Sequence, residues 1–339
     1  MTLDHMVPYS RLQQLAAQEG LTALAVIDPP EVLDPGPLER MLADGVGDLQ
    51  WLIQQREMRL RPTAMLPTAR SLVVVAWHYQ PTAGSTGLRR ARYAAGKDYH
   101  VILRPKLGRV ARGLGGGQRA CVDSAPINER TLAQLAGLGW IGRNALVISP
   151  DSGTYRLLGL LLTDADIERH HGGQGADRCG SCHACETRCP TRALVDRRVL
   201  TERCISYLTI EHQGVVPRAL AARFEGWWFG CDMCQEVCPW NRFAPPAEDP
   251  RLNGTEHDEH LLAVTAETFD THFAARAVRR IGYVRFRRNL LIALASLGRI
   301  AECAPLLAEG LPLVLAQARE LQLPGLPEAE LPKDASPCA

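Results

Sequence analysis

The sequence predicts a mixed α/β (α+β) domain, then a small domain folded around cysteines, then a helical C-terminal segment. Three observations predict this order. Apolar, β-branched runs such as ARSLVVVAW alternate with helical periodicity over the first ~165 residues. Eight of the eleven cysteines fall between 179 and 238. From about residue 260 the pattern is helical, with LLIALASLG and APLLAEGLPLVLAQARELQ as amphipathic stretches. The expected boundaries are 1–166, 167–248 and 249–339.

Along the first domain, RLQQLAAQE (11–19) reads as a helix stopped by Gly20, and TALAVID as a strand ended by Pro29-Pro30. A helix is expected near 38–56, a buried strand over 69–77 and a shorter strand at ACVDS (120–124). ERTLAQLAGLG is a helix with a glycine stop. NALVIS, the turn PDSG and TYRLLGLLLTD fit a β-hairpin. GLGGGQ lacks the glycine spacing of a nucleotide fingerprint and reads as a loop. IERHHGGQGAD (167–177) is a linker. Two consecutive helical hairpins near the C-terminus suit a small helical repeat, and the proline-rich tail from Pro324 is expected to be loose.

Net charge is +1, so any nucleic-acid site must be a local patch. The N-terminus shows neither an apolar signal core nor twin arginines, and the apolar runs are too short to span a bilayer; the expectation is a cytoplasmic protein. In a reducing compartment, clustered cysteines argue for metal rather than disulfides.

CGSCHACETRCP (179–190) has the C-x2-C-x2-C-x3-C-P spacing of bacterial ferredoxins. Three thiolates on a tight loop grip one cluster, while the fourth cysteine serves a second. CDMCQEVCP (231–239) supplies the complement. The ligand sets are Cys179, Cys182, Cys185 and Cys238 for one [4Fe-4S] cluster, and Cys189, Cys204, Cys231 and Cys234 for the other. Zinc is the competing reading for two C-x2-C pairs, but leaves both C-x3-C-P endings unexplained. His183 reads as a solvated loop residue, and Cys121 as a buried small hydrophobe. Such clusters conduct single electrons and break no bonds, so the chemistry lies elsewhere in the chain.

VDSAPINER (122–130), AGLGWIGRN (136–144), the first cysteine run, CISYLTIEHQG (204–214) and CDMCQEVCPWNRF together resemble the epoxyqueuosine reductases. The resemblance runs from about residue 15 to 295. It implies a corrinoid-binding α/β domain, a ferredoxin-like two-cluster domain and a HEAT-like helical repeat. It also implies cobalamin as cofactor, held without the histidine of D-x-H-x-x-G proteins, and reduction of epoxyqueuosine to queuosine at the wobble base of tRNA.

By the same resemblance Asp123 is the proton donor, with desolvation expected to keep it protonated near neutrality; turn capping is the plain alternative for Asp-Ser-Ala-Pro. Arg59, Asp123, Gly142, Val147, Leu158 and Ser206 are expected at cobalamin. Arg61 replaces the family's aspartate beside Arg59. Lys97, Asp98, Tyr99 and His100 match a family segment that is either a cofactor or substrate contact or a solvated helix start. The small residues of GLGWIG allow close approach to a flat ligand, or serve packing.

RAVRRIGYVRFRR (276–288) holds six arginines and no acid. Gln213, Arg279, Arg280, Arg285, Arg287 and Arg288 are the expected tRNA contacts; a basic solvated helix face is the alternative. An external low-potential donor and a monomer complete the expectation. Two rivals remain. A corrinoid reductive dehalogenase acting on a small molecule would not need the arginine run. A ferredoxin-like electron carrier without its own catalytic site would not need the first ~165 residues.

Overall fold

The computed structural model describes residues 6–79, 87–173, 175–247, 249–254 and 258–324. The first domain is built on a four-stranded antiparallel sheet of β1 (Ala23–Ile27), β2 (Ser71–His78), β3 (Gln118–Cys121) and β4 (Arg156–Thr163), in the order β1-β2-β4-β3. Every residue of β2 is buried, which explains its unbroken apolar run. Helices α1 (Tyr9–Gln18) and α2 (His100–Leu114) cover one face, where Leu103, Leu107 and Leu161 share a core. Helix α3 (Glu129–Leu135) covers the other, with Leu132, Leu160 and Val74. Gly20 ends α1 in a left-handed conformation (φ 68°), as expected.

Two local expectations give way. Residues 38–56 form not one helix but parts of three, Gly36–Ala43, Gln50–Gln54 and Arg56–Leu60. Gly45 (φ 95°) and Gly47 (φ 52°) turn the chain between them. Gly47 also lies against Tyr207, whose hydroxyl occupies the space a Cβ would need. The hairpin across 149–153 is the second correction. Only the Ser149–Gly153 bridge remains of it. Val147–Ile148 pairs instead with Trp140–Ile141. Strand β4 pairs on both edges, with β2 and β3, where its apolar residues are covered on both faces.

The cysteine segment is compact and mostly loop, with short helices Ala184–Arg188 and Met233–Glu236 in contact. Helix α4 (Ile205–Ile210) follows Cys204 directly. The C-terminal segment is organised around α5 (Gly282–Ser296), against which α6 (Pro312–Leu321) packs. Residues Leu290–Leu294 are fully buried, so α5 is a central helix and not the amphipathic one expected. Its core extends to Trp228 and Phe229 beside the cysteine segment. Of the expected loose tail only Pro324 is described; the rest, with Cys338, lies outside the described residues.

Candidate active site and cluster centre

Three cavities lie in series. One of about 300 Å³ is lined by Cys179, Cys182, Cys185 and Cys238. A second, of about 260 Å³, is lined by Cys189, Cys204, Cys231 and Cys234. The cavities divide the eight cysteines into the same two groups as the sequence reading, with Cys238 falling beside the first run and Cys189 beside the second. The thiols surround cavities and do not close on one ion: among the described residues, no group of three or more His, Cys, Asp or Glu is placed to hold a single metal ion.

Asn144 lines both cavities. It is 3% exposed, and its side-chain nitrogen has no hydrogen-bond partner among the described residues. A buried, unpaired donor between two sulfur-rich groups fits inorganic sulfide acceptors. The Trp140 indole N–H donates to Cys179 Sγ at 3.4 Å, and the Ala193 amide to Cys189 Sγ at 3.3 Å. GLGWIG therefore serves the cluster side. Gly139 and Gly142 sit against Ile148 with no room for a Cβ, so packing is what requires them.

The third cavity is about 1390 Å³, beyond the ~300–1,000 Å³ of most small-molecule sites. Tyr79, Tyr93 and Ser206 line both it and the second cluster cavity. Arg59, Asp123 and Ser206 reach this space as expected. Gly142, Val147 and Leu158 are not among the lining residues: Val147 is buried beneath the sheet with Leu158 packed nearby. Arg59 lies over the Trp51 ring at 4.6 Å and donates to the Ile127 carbonyl at 3.3 Å, leaving its Nε buried and unpaired. Arg61 is exposed and is not among the residues lining this space.

Asp123 follows β3, which ends at Cys121, earlier than expected. Its backbone is left-handed (φ 48°), a conformation aspartate tolerates better than most residues. Its amide donates to Glu129 Oε1 at 2.5 Å. The carboxylate, 51% exposed, faces the cavity, with Oδ2 3.4 Å from His100 Nε2. The other His100 nitrogen lies 2.7 Å from Asp98 Oδ1.

The electrostatics correct the expected protonation. Burial pushes Asp123 upward, but bonds and charge from His100, with Tyr99 and Arg280, carry it below the usual carboxylate range. Burial alone would lower His100; the two carboxylates, Asp123 and Asp98, instead push it up to about 9. At neutral pH the proton of this pair sits on His100. Behind it, burial and the Asp123 charge raise Glu129 to about 8, so that carboxyl is largely neutral. His100 Nδ1 is engaged by Asp98, while its buried Nε2 has no hydrogen-bond partner among the described residues and faces the Asp123 carboxylate as an ion pair.

The family follows from comparison. Residues 178–241 match the model of the 4Fe-4S double cluster binding domain, and 59–124 that of "Epoxyqueuosine reductase QueG, DUF1730". The epoxyqueuosine reductase of Vibrio cholerae is 35% identical, over 87% of this chain and 85% of its own. The chain belongs to the epoxyqueuosine reductase family. The Escherichia coli epoxyqueuosine reductase is 36% identical over 85% of this chain and 83% of its own. A crystal structure of epoxyqueuosine reductase with a tRNA-Tyr epoxyqueuosine-modified stem loop superposes with TM-score 0.78 at 26% identity, covering 92% of this chain and 89% of that one. The epoxyqueuosine reductase of Bacillus subtilis, described with its aspartate-bearing catalytic loop swung out of the active site, gives 0.76 at 26% identity, over 91% and 84%. As an epoxyqueuosine reductase the chain is an oxidoreductase with two four-iron clusters. Among the described residues no helix is long and apolar enough to cross a membrane.

The arginine run is divided by the fold. Arg279 and Arg280 are exposed, paired with Asp270 at 2.8 Å and Glu211 at 2.5 Å. Arg280 reaches the large cavity. Arg285 is half-buried and donates to the Ile210 and Ile281 carbonyls, while Gln213 is exposed. Arg287 and Arg288 are 3% and 0% exposed, and their tRNA role is corrected. Arg288 donates to the carbonyls of Leu208, His212 and Gly214, and Arg287 to Leu262 and Glu309. No phosphate reaches a guanidinium enclosed in this way. Sequence reasoning also missed Arg104, exposed on the first turns of α2 at the cavity.

Proposed function

We propose that this chain reduces epoxyqueuosine to queuosine in the anticodon of tRNA, in the cytoplasm, with cobalamin in the large cavity. The observation that supports it most is the shared wall of Tyr79, Tyr93 and Ser206, which sets the second cluster cavity against a space that also holds Asp123. Arg59 and Ser206 are the residues that hold the corrinoid, Arg59 through its unpaired Nε. When bound, cobalamin supplies a strongly reducing cobalt centre to the epoxide.

Opening and deoxygenating the epoxide takes two electrons and two protons, giving an alkene and water. The clusters pass electrons singly. Asp123 meets the leaving oxygen, and the proton it delivers is drawn from His100 Nε2, across 3.4 Å. General acid assistance of this kind contributes typically about 10²–10⁴-fold. His100 is thereby a positioning and proton-supplying residue, held by Asp98. The wobble base, splayed from its loop, enters between Trp51 and Arg280. Arg280, Arg279, Arg285 and Gln213 contact the tRNA near the mouth.

The domains read as 1–166 for cobalamin, 167–248 for the clusters and 249–339 for tRNA, with α5 and α6 as the start of a HEAT-like stack. The protein acts as a monomer fed by an external low-potential donor.

Conversion of epoxyqueuosine tRNA, followed by digestion and mass spectrometry, tests this reading. Reconstituted protein with a low-potential reductant should form queuosine only when cobalamin is added. No product from protein holding both clusters and bound corrinoid would overturn it. The pH dependence follows from the raised His100 value. The stabilising charged form is fully present below about 6.5 and is lost as pH rises through about 9. With reductant in excess, turnover is expected to hold through neutrality and fall above about pH 9. In His100→Gln that limb should disappear from a much lower rate, which a pH–rate profile reads directly.

A further inference from the structure

We infer that the face over the first cluster, centred on Phe243 and edged by Arg178 and Arg242, is the docking site of a small acidic one-electron carrier protein. The inference rests on the electron route proposed above and names where the electrons enter.

Of the two cluster cavities, the first is the outer one. Cys182 is exposed, and so is its neighbour His183. The second cavity is set inward, sharing Tyr79, Tyr93 and Ser206 with the large cavity, and none of its four cysteines is exposed. An electron from outside therefore meets the Cys179–Cys182–Cys185–Cys238 set first. Phe243 lies at this cavity and is 62% exposed, the most exposed large apolar residue beside any cluster cysteine. An apolar side chain left in water at the entry point of a redox chain is what a transient partner covers.

Charge indicates the partner. Arg143, Arg178 and Arg242 line this cavity, and no carboxylate does. Nearby acids are engaged: Glu186 by His183 and Arg143, and Asp177 by Arg197. Among the described residues neither Arg178 nor Arg242 pairs with a carboxylate, and both are exposed. Arg242 instead lies 6.0 Å over the Phe243 ring. Two uncompensated guanidinium groups around one apolar anchor, on a chain of net charge +1, favour an acidic surface. Each encounter moves one electron from the reduced carrier, which leaves oxidised, to the outer cluster. Two encounters supply the two electrons used per epoxide.

Anaerobic stopped-flow mixing of the holoenzyme with a reduced acidic ferredoxin tests this, read by bleaching of cluster absorbance. The wild-type second-order rate constant should fall as salt rises. Arg178→Glu/Arg242→Glu should be about tenfold slower at low salt, with the salt dependence flattened or reversed. Phe243→Ser, which keeps the charge, should slow the carrier several-fold. Dithionite should reduce the clusters of all three proteins equally. Unchanged ferredoxin rates in both variants would overturn the site, as would equal slowing with dithionite at full iron content. Failure of tRNA conversion in the wild type would count against the proposed function and leave this result standing.

Discussion

Asp123→Asn is expected to lower the turnover of epoxyqueuosine by about 10²–10⁴-fold while both clusters and cobalamin stay bound. Asparagine fits the site: it accepts the left-handed backbone (φ 48°) and keeps the backbone N–H hydrogen bond to Glu129 Oε1. It cannot pass on a proton drawn from His100. The loss should fall on kcat, with KM for tRNA little changed, because the missing interaction is made with the leaving oxygen. Asn also removes the anion that, with Asp98, holds His100 up to about 9, so the alkaline limb should move down together with the rate. A variant retaining wild-type kcat would assign proton delivery elsewhere, with Glu129 the next candidate because burial holds it near 8.

The second large effect is on stability. Arg288→Met keeps the stem volume and removes the donors to one buried carbonyl, two part-buried ones and the buried Asn289 Oδ1. Each acceptor left unpaired costs about 1–3 kcal/mol, and relaxation recovers part of that, so a net loss of about 3–5 kcal/mol is expected. Calorimetry of the holoenzyme should show Tm lowered by roughly 5 °C or more. Arg280→Ala should do the reverse. Exposed and salt-bridged at the cavity mouth, it should leave Tm within about 1 °C, weaken tRNA binding and flatten its salt dependence by about one unit of log–log slope. Normal Tm with lost tRNA affinity in Arg288→Met would return that residue to the interface.

The cysteine sets were legible because cluster geometry constrains covalent spacing directly, and the two cavities divide the eight thiols as the spacing implied. Strand β2 was legible because burial on both faces leaves an uninterrupted apolar run. The hairpin was not. Its turn is real, but strand partners are chosen by the whole sheet, and β4 has two better ones. Arginines in a run look alike in sequence, yet the helical turn sends Arg287 and Arg288 inward while Arg279 and Arg280 stay in water. Asp123 was reached by resemblance, but its ionisation was misjudged because desolvation was weighed without His100. That residue stands 23 positions earlier in the sequence and 3.4 Å away in space. The Trp140 bond to Cys179 had one signal, a tryptophan inside a glycine-rich motif whose small residues suit either a flat ligand or packing.

If one cavity brings cobalamin, Asp123 and the inner cluster together, bound cobalt must lie within it. Anomalous diffraction at the cobalt edge, from crystals grown with cobalamin, tests it most directly. A single cobalt peak is expected inside the cavity lined by Asp123, Tyr93 and Ser206, on the side facing Cys204. A cobalt peak outside that cavity, or on the far side of the cluster domain from Asp123, would contradict it.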